Sequence, residues 1–280
     1  MTAGTSAGSS TGEPLDVKAN CCAAYSSDAV ALLLGDSYHP GGLALSRRLA
    51  AKLGLTAGQQ VLDVASGPGA TALLLASELG VEVQGVDLAP ANVERAGRAA
   101  KEAGLAGRVR FTVGDAEQLP YPDAGFDAVV CECALCTFPD KPAAAAEFAR
   151  VLRPGGRVGI TDVTVDQARL PAELTGMMAW VACIADARPL EVYAEVLRAA
   201  GLRVLVSERQ DGAVRRMVEQ IEARLTVLRI TARDRLVAAG IDLDRTGPVL
   251  AATRRAIEDG VLGYGLLVAE KPPEGGTMER

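Results

Sequence analysis

Three cysteines lie within six positions in the stretch CECALC, residues 131–136. A thiolate can act as a nucleophile or bind a soft metal ion, and a neutral thiol can pack as a small hydrophobic side chain. Zinc is a weak interpretation, because the chain's single histidine, His39, is distant in sequence. If the strand that holds this stretch continues far enough, alternation puts Cys131 and Cys133 on one face. Core packing, a reactive thiol and a metal or metalloid site are therefore the alternatives for this stretch.

A second candidate site is the glycine-rich loop with Gly67 and Gly69, which follows the apolar segment QVLDVA directly and precedes a helical pattern. Glycines let the backbone turn tightly and approach a ligand closely. Asp87 lies 24 residues after Asp63, where a carboxylate can accept both ribose hydroxyls of a nucleotide. Asp115 ends a third β-prone stretch, where it can reach an adenine amino group. The pattern predicts a nucleotide-like cofactor, and a nicotinamide dehydrogenase is the obvious rival.

These residues lie between alternating strand-like and helix-like stretches. Alternation at this spacing predicts an α/β fold with a doubly wound, mostly parallel, Rossmann-like sheet. Ligands in such folds bind beyond the carboxyl ends of the strands. Helices are predicted at 71–80, 92–104, 171–186 and 189–200, and another begins at Pro142 and stops at the RPGG of 153–156. The seven predicted strands are 60–65, 81–88, 108–115, 126–133, 157–163, 202–209 and 261–270.

Composition limits the possible partners and the compartment. The 280 residues carry a net charge of −6 without a basic stripe, which disfavours a nucleic-acid partner. The start of the chain does not resemble a signal peptide, and no apolar run is long enough to span a membrane. We therefore expect a cytoplasmic, reducing environment in which the six cysteines are thiols. The predicted organisation is a tail (1–19), a helical lid (20–55), the core (56–212), a helical insertion (213–260), the last core strand (261–272) and a second tail (273–280).

Successive segments over roughly residues 45–165 resemble the class I S-adenosylmethionine-dependent methyltransferases. The segments are LDVASGPGAT, GVDLA, GDAEQLPYPDAGFDAVV and RVLRPGGRVGITDV, in the order typical of that family. The resemblance implies a seven-stranded sheet with an antiparallel last strand, and S-adenosylmethionine as cofactor. It further implies that the cofactor's methionine part is flanked by Asp63, Ala65, Gly67 and Gly69, its ribose by Asp87 and Leu88, and its adenine by Asp115 and Ala116, with Cys131 nearby.

Within that family, the distribution of thiols resembles the arsenite methyltransferases. The matching features are Cys133 followed by Pro139-Asp140-Lys141, the segment MMAWVACIADA (177–187) with Trp180 and Cys183, and the pair Cys21-Cys22 ahead of the core. The resemblance implies that Cys133 and Cys183 hold trivalent arsenic, a soft centre that selects thiolates. Cys22 or Cys21 matches only loosely, because the spacing to the core is shorter here. The 213–260 segment does not resemble the cysteine-bearing tail of longer members.

The predicted function is therefore methylation of arsenite or methylarsenite, with a thiol reductant as partner. Little help from a general base is expected, because the arsenic lone pair carries no proton and no obvious base lies beside CECALC. Two alternatives stay open: methylation of a hydroxyl or carbon of a metabolite with structural cysteines, and metalloid binding without catalysis. Cys136 has no assigned role, and Tyr25 and His39 could either pack or touch the ligand.

Overall fold

A computed structural model of the protein describes residues 39–175, 183–238 and 242–273. Cys21, Cys22, Tyr25 and Trp180, which the sequence singles out, lie outside the described residues. The lid predicted for 20–55 is described only in its last part.

Seven strands form one mixed sheet. They are β1 Gln60–Val64, β2 Glu82–Asp87, β3 Val109–Val113, β4 Phe126–Glu132, β5 Leu152–Val165, β6 Arg203–Arg209 and β7 Leu262–Glu270. Their order is β3-β2-β1-β4-β5-β7-β6, and neighbours are parallel except where β7 runs antiparallel to β5 and β6. The predicted doubly wound α/β fold is confirmed. The order reverses between β1 and β4, and ligands of such sheets bind at this switch point.

Helices connect the strands. They are α1 Gly42–Leu53, α2 Ala70–Leu79, α3 Pro90–Glu102, α4 Lys141–Val151, α5 Leu190–Ala199, α6 Asp211–Thr231, α7 Arg233–Ala238 and α8 Leu243–Glu258. The last three lie between β6 and β7, in the segment that the sequence indicates as an insertion. No helix in the described part of the chain combines the length and apolar character needed to cross a membrane.

A local signal accounts for the start of α4. The Asp140 carboxylate accepts a hydrogen bond from the Ala143 amide at 2.9 Å, which caps the helix.

The fifth strand begins earlier than predicted. The sequence predicts a strand only from 157, because RPGG is typical of a helix stop. In the structure β5 begins at Leu152, since the backbone of Gly155 and Gly156 exchanges hydrogen bonds with Lys271 at 2.8 Å.

The helix predicted for 171–186 is wrong in the part that the structure describes. Gln167–Arg169 and Ala172–Leu174 each form a single 3-10 turn, and residues 176–182 lie outside the described ranges. Pro171 separates the two turns, because proline disfavours helical conformation in the residue before it.

The ring of Phe111 in β3 packs against two glycines from neighbouring elements. A Cβ atom at Gly69 would lie 2.7 Å from Phe111 Cζ, and one at Gly85 would overlap the ring and lie 2.9 Å from Ser66 Oγ. Gly69 also has a φ of 88°, which side chains rarely allow. Both glycines therefore let the glycine-rich loop and β2 approach the ring.

Gly85→Ala is expected to destabilise the protein by about 1–3 kcal/mol, because overpacking forces core side chains away from their preferred rotamers. Gly97→Ala is the matched control, since a Cβ atom at Gly97 in α3 would meet nothing within 4 Å. The control is expected to stabilise the helix by about 0.5–1 kcal/mol. Urea unfolding measures both, and wild-type stability of Gly85→Ala would contradict the tight contact with Phe111.

Candidate active site

The glycine-rich loop connects the carboxyl end of β1 to α2. Ala65, Gly67 and Gly69 have φ angles of 56°, 52° and 88°, and the Gly69 amide donates to Ser66 O at 2.9 Å. A left-handed conformation in a non-glycine residue such as Ala65 is strained, and such strain clusters at functional sites. A Cβ atom at Gly67 would meet nothing within 4 Å, so the space beside this glycine is open. The loop can therefore admit a ligand close to its backbone.

Asp87 ties the carboxyl end of β2 to this loop. Its Oδ2 accepts the Gly67 amide at 2.8 Å, and its Oδ1 accepts the Ala89 amide at 2.9 Å and the Asn92 side-chain amide at 3.2 Å. A carboxylate has about four lone-pair positions, so Asp87 can accept one further hydrogen bond. Accepting both hydroxyls of a ribose, as the sequence predicts, requires one of the present bonds to be exchanged.

Two buried polar atoms beside the loop have no hydrogen-bond partner among the described residues: Asp63 Oδ2 and Ser66 Oγ. The Asp63 carboxyl group does accept the Ala72 amide at the start of α2. Burial, and then the neighbouring Glu132 and Asp87 carboxylates, raise the pKa of Asp63 well above its ordinary value. Because buried polar groups are normally paired, these atoms fit a polar ligand group that donates hydrogen bonds or carries positive charge.

The residues after β2 and β3 complete this edge of the sheet. Leu88 is 40% exposed, and Ala116 is buried. The Asp115 Oδ1 atom accepts the Glu117 amide at 2.9 Å, which fixes the turn. An apolar surface next to a carboxylate suits a flat base that carries an amino group.

The strand of the CECALC stretch ends at Glu132, and Cys133 leaves it with a φ of 54°. The common face of Cys131 and Cys133 is expected only if the strand continues through Cys133, and that condition is not met. Cys131 is fully buried and pairs in register with Val64 of β1 and Ile160 of β5. Cys133 is instead half-buried at the sheet edge.

The Cys133 thiol lies against Cys183, which is 50 positions further along the chain. The Cys183 thiol donates to the Cys133 carbonyl oxygen, with Sγ 3.9 Å from that oxygen. Cys183 also has a positive φ, 59°. The fold therefore brings together the two described cysteines that the sequence singles out.

Cys136 joins this pair. Its amide donates to Asp162 Oδ2 at 3.0 Å, and Cys183 and Asp162 lie close enough to its thiol to interact with it electrostatically. The residue is buried in the 3-10 turn Leu135–Thr137. Cys133, Cys136 and Cys183 are called the thiol cluster below. Sequence reasoning left Cys136 without a role, because nothing local indicates that Cys183 packs against it.

The thiol cluster lies in surroundings that disfavour thiolates. The hydrogen bond with Cys183, followed by burial, raises the pKa of Cys133. Burial, followed by the Cys183 hydrogen bond, raises the pKa of Cys136. Burial also raises the pKa of Asp162 to about 7. Cys133 and Cys136 are therefore protonated at neutral pH, and a ligand that binds their thiolates must displace these protons.

An ion pair between a buried ammonium group and a half-buried carboxylate holds the segment that carries Cys183. Lys141 Nζ lies 2.5 Å from Asp186 Oδ2. Gln167 Nε2 donates to two main-chain carbonyl groups of the same segment, at 2.8 Å and 3.0 Å. The loop with Cys183 is thus fixed to α4 and to the end of β5.

Sequence reasoning missed the carboxylate inside CECALC. Glu132 Oε2 accepts the hydroxyls of Ser46 and Thr71, both at 2.8 Å, and its Oε1 accepts the Thr161 hydroxyl at 3.2 Å. His39 Nε2 lies 3.7 Å from Glu132 Oε2. The structure thus places a carboxylate and an imidazole together at a stretch where the sequence indicated no obvious base. A charged residue directly after the apolar run of residues 128–131 was the available signal.

Within the described ranges, no three His, Cys, Asp or Glu side chains form a group that could hold a metal ion. The thiol cluster, in which Cys183 Sγ lies 3.9 Å from the Cys133 carbonyl oxygen, is therefore not a three-ligand site as it stands.

Comparison with known proteins identifies related chains. The family described as "Methyltransferase domain" matches residues 61–156. The chain is 34% identical over 230 residues to a 27-O-demethylrifamycin SV methyltransferase from Amycolatopsis mediterranei (strain S699). That alignment covers 81% of this chain and 83% of the relative. The relatives support the methyltransferase class and do not show the arsenite branch of it.

Solved structures share the fold. The [4+2]-cyclase SpnF is similar with a TM-score of 0.65 and 31% identity, covering 82% of this chain and 81% of that one. Haemonchus contortus phosphoethanolamine N-methyltransferase 2 in complex with S-adenosyl-L-methionine has a TM-score of 0.72 and 23% identity, covering 87% and 56%. At 23% identity, the similarity to the Haemonchus contortus enzyme concerns the fold alone. A cyclase on this scaffold illustrates that a fold does not determine the reaction.

Asp186→Asn is expected to cost more stability than Lys141→Met, because the side chain of Lys141 is 7% exposed and that of Asp186 is 24% exposed. Asp186→Asn leaves a buried ammonium group without its counter-charge, at a cost of about 3–5 kcal/mol. Lys141→Met leaves a carboxylate that water reaches and that still pairs with Arg188. Urea unfolding compares the two variants, and the reverse order would contradict this assignment.

Asp63→Asn is expected to stabilise the ligand-free protein at about pH 8. Because the pKa of Asp63 is raised on folding, its contribution to stability is present at low pH and is lost as pH rises through the folded-state pKa. The gain should therefore shrink as pH falls toward the ordinary aspartate pKa. Ser66→Ala removes the other unpaired atom without a charge and is the control. Thermal unfolding across this range tests the sign, and a pH-independent gain would contradict it.

Proposed function

This chain belongs to the class I S-adenosylmethionine-dependent methyltransferases, and we propose that its acceptor is trivalent arsenic, as arsenite or methylarsenite, held by cysteine thiolates. Membership of the family makes it an enzyme that methylates a small molecule. The identity of that molecule is the proposal. The observation that carries it is the contact between Cys133 and Cys183 beyond the carboxyl end of β4.

S-adenosylmethionine fits the polar atoms of the crevice. When bound, it supplies an electrophilic methyl group on a positively charged sulfonium. The unpaired Asp63 Oδ2 and Ser66 Oγ would gain partners, and the raised pKa of Asp63 would be opposed by a positive ligand. The residues proposed to hold it are Asp63, Ala65, Gly67 and Gly69 at the methionine part, Asp87 and Leu88 at the ribose, Asp115 and Ala116 at the adenine, and Cys131 nearby.

The thiol cluster supports a soft acceptor. Thiolates favour soft centres, and trivalent arsenic is one. Cys133 and Cys183 come from different segments, and each is held in a left-handed conformation that costs on the order of 1–3 kcal/mol. Strain of this size persists where the surroundings impose it, often for a functional geometry. A ligand bound by both sulfurs would be a functional reason for these two strained conformations.

A third thiolate would complete a pyramidal arsenic site. By resemblance we assign it to Cys22, or to its neighbour Cys21, both outside the described residues. Cys136 is the described alternative, because it already contacts Cys183. A thiol reductant would keep these sulfurs reduced between turnovers.

The protein's part in the reaction would be positioning. The Lys141–Asp186 pair fixes the Cys183 segment, and the buried surroundings of Cys136 and Cys183 exclude water from the sulfurs. Holding two reactants in a productive geometry can supply a large share of the reduction in the barrier.

A second candidate function is methylation of an organic hydroxyl. The relative with 34% identity supports it, because its name describes an O-methyltransferase of a rifamycin. Under this alternative the thiol cluster is structural, and the acceptor would bind at the same edge of the sheet.

The full chain, incubated with labelled S-adenosylmethionine, arsenite and a thiol reductant, is expected to yield methylated arsenic, measured by chromatography with arsenic detection. Cys133→Ser and Cys183→Ser should each lower the rate by about 100-fold or more, because the acceptor loses a positioning ligand. Thr137→Ser is the matched control, since serine can retain the bond to Ala134 O in the same turn. Its rate should stay within about twofold of wild type.

Absence of methylated arsenic, despite cofactor binding shown by calorimetry, would contradict the metalloid acceptor. Equal methylation of an organic hydroxyl by the wild type and by the Cys133→Ser, Cys183→Ser double variant would support the second candidate. Stoichiometric arsenic binding without turnover would assign the thiol cluster to sequestration instead.

A further inference from the structure

We propose that two side chains hold the ribose of the cofactor, with one hydroxyl donating to Asp87 and the other to Asn92 Oδ1. The sequence pattern indicates Asp87 alone for both hydroxyls. This inference rests on the proposed function only in placing the ribose at Asp87, and the identity of the methyl acceptor does not enter it.

Too few acceptor positions remain on Asp87 for two hydroxyl groups. Its Oδ1 atom accepts the Ala89 amide at 2.9 Å and the Asn92 side-chain amide at 3.2 Å. Its Oδ2 atom accepts the Gly67 amide at 2.8 Å. Each carboxylate oxygen has about two lone pairs, so one acceptor position is left, on Oδ2. The second ribose hydroxyl therefore needs another acceptor.

The main-chain donors cannot leave Asp87 without a cost in stability. Asp87 is 8% exposed and Ala89 is 3% exposed, so the Ala89 amide would lose its partner in a buried place. Ala89 precedes the first residue of α3, and its side chain has no polar atom that could replace the carboxylate. The Gly67 amide makes the shortest of the three bonds, and it ties the glycine-rich loop to β2.

An exchange of the Asn92 bond would not solve the shortage. Asn92 is 6% exposed, and its Oδ1 atom is buried without a hydrogen-bond partner in the part of the chain that the structure describes. If a ribose hydroxyl displaced Nδ2 from Asp87, both polar groups of this buried side chain would lack a partner. Buried polar groups are normally paired, so this arrangement is disfavoured.

The unpaired Oδ1 atom of Asn92 is itself a suitable acceptor. Asn92 is the third residue of α3, and side chains of a helix tilt toward its N-terminus, here toward Asp87. Because Oδ1 and Nδ2 belong to one amide group, the acceptor lies beside the bond to the carboxylate. Asn92 Oδ1 and the free position on Asp87 Oδ2 make two acceptors, which equals the number of ribose hydroxyls.

Calorimetry on the full chain tests this assignment without turnover. The ligands are S-adenosylhomocysteine and its 2′-deoxy and 3′-deoxy forms, each titrated into the wild type and into Asn92→Leu, which replaces the amide by an apolar group of similar shape. In the wild type, loss of the hydroxyl on Asp87 should weaken binding by about 10-fold or more. Loss of the hydroxyl on Asn92 should weaken it by about 3- to 10-fold, since hydrogen bonds to charged groups are stronger.

The variant should remove the effect of one hydroxyl and keep the effect of the other. Asn92→Leu should bind S-adenosylhomocysteine about 3- to 10-fold more weakly than the wild type does. One deoxy form should then bind this variant within about twofold of the full ligand, because the hydroxyl it lacks has no acceptor there. The other deoxy form should keep its wild-type loss.

Val93→Ala is the matched control. Val93 is the next residue of the same helical turn, half-buried, and its apolar side chain can accept neither hydroxyl. Both hydroxyl effects should stay within about twofold of their wild-type size in this variant. A selective loss of one hydroxyl effect in Val93→Ala would overturn the assignment, because the loss would then reflect a general change in α3.

Three further outcomes would contradict the proposal. Persistence of both hydroxyl effects in Asn92→Leu would assign both hydroxyls to Asp87. An equal decrease of both effects would show that Asn92 only orients Asp87. A wild type indifferent to both hydroxyls would overturn the ribose site at Asp87 as well, whereas failure to methylate arsenite leaves these titrations unaffected. Thermal unfolding verifies the fold of each variant, and Asn92→Ala, with the same expected pattern, replaces Asn92→Leu if the latter unfolds.

Discussion

The carboxylate of Glu132 organises the carboxyl edge of the sheet. It is buried at the end of β4 and accepts hydroxyl groups from Ser46 in α1, Thr71 in α2 and Thr161 in β5. A buried carboxylate is costly unless hydrogen bonds satisfy it, so these three donors must converge on one point. That requirement ties the first two helices to the central strands. The glycine-rich loop and the thiol cluster lie on either side of this point.

Two kinds of chemistry meet at this edge. On the side of β1 and β2, burial and the nearby carboxylates of Glu132 and Asp87 raise the pKa of Asp63, an effect that a positively charged ligand would oppose. On the side of β4 and β5, neutral thiols and Asp162 form a drier cluster around Cys183. Methyl transfer from a sulfonium to a thiophilic centre would use both, because the first side holds charge and the second excludes water. The division follows from the reversal of strand order between β1 and β4.

Most of the fold, and the part of the site next to β1 and β2, could be predicted from the sequence. Apolar periodicity and Gly-rich turns act over a few residues, so the seven strands and the loop at Gly67 are encoded locally. The predictions fail where a residue distant in sequence determines the local backbone structure. The backbone at Gly155 extends β5 because Lys271 pairs with it. The alternation expected for Cys131 and Cys133 stops because the strand ends at Glu132.

The sequence by itself determined the order of the elements, the family of the chain and the types of side chain available for chemistry. It did not determine which of the six cysteines touch or which carboxylate meets His39. Those contacts join residues far apart, such as Cys133 with Cys183 over 50 positions and Ser46 with Glu132 over 86. Only packing of the helices against the sheet closes such separations, because no local conformational preference extends that far. The tertiary structure therefore decided the thiol cluster and the hydrogen-bonded groups around Glu132.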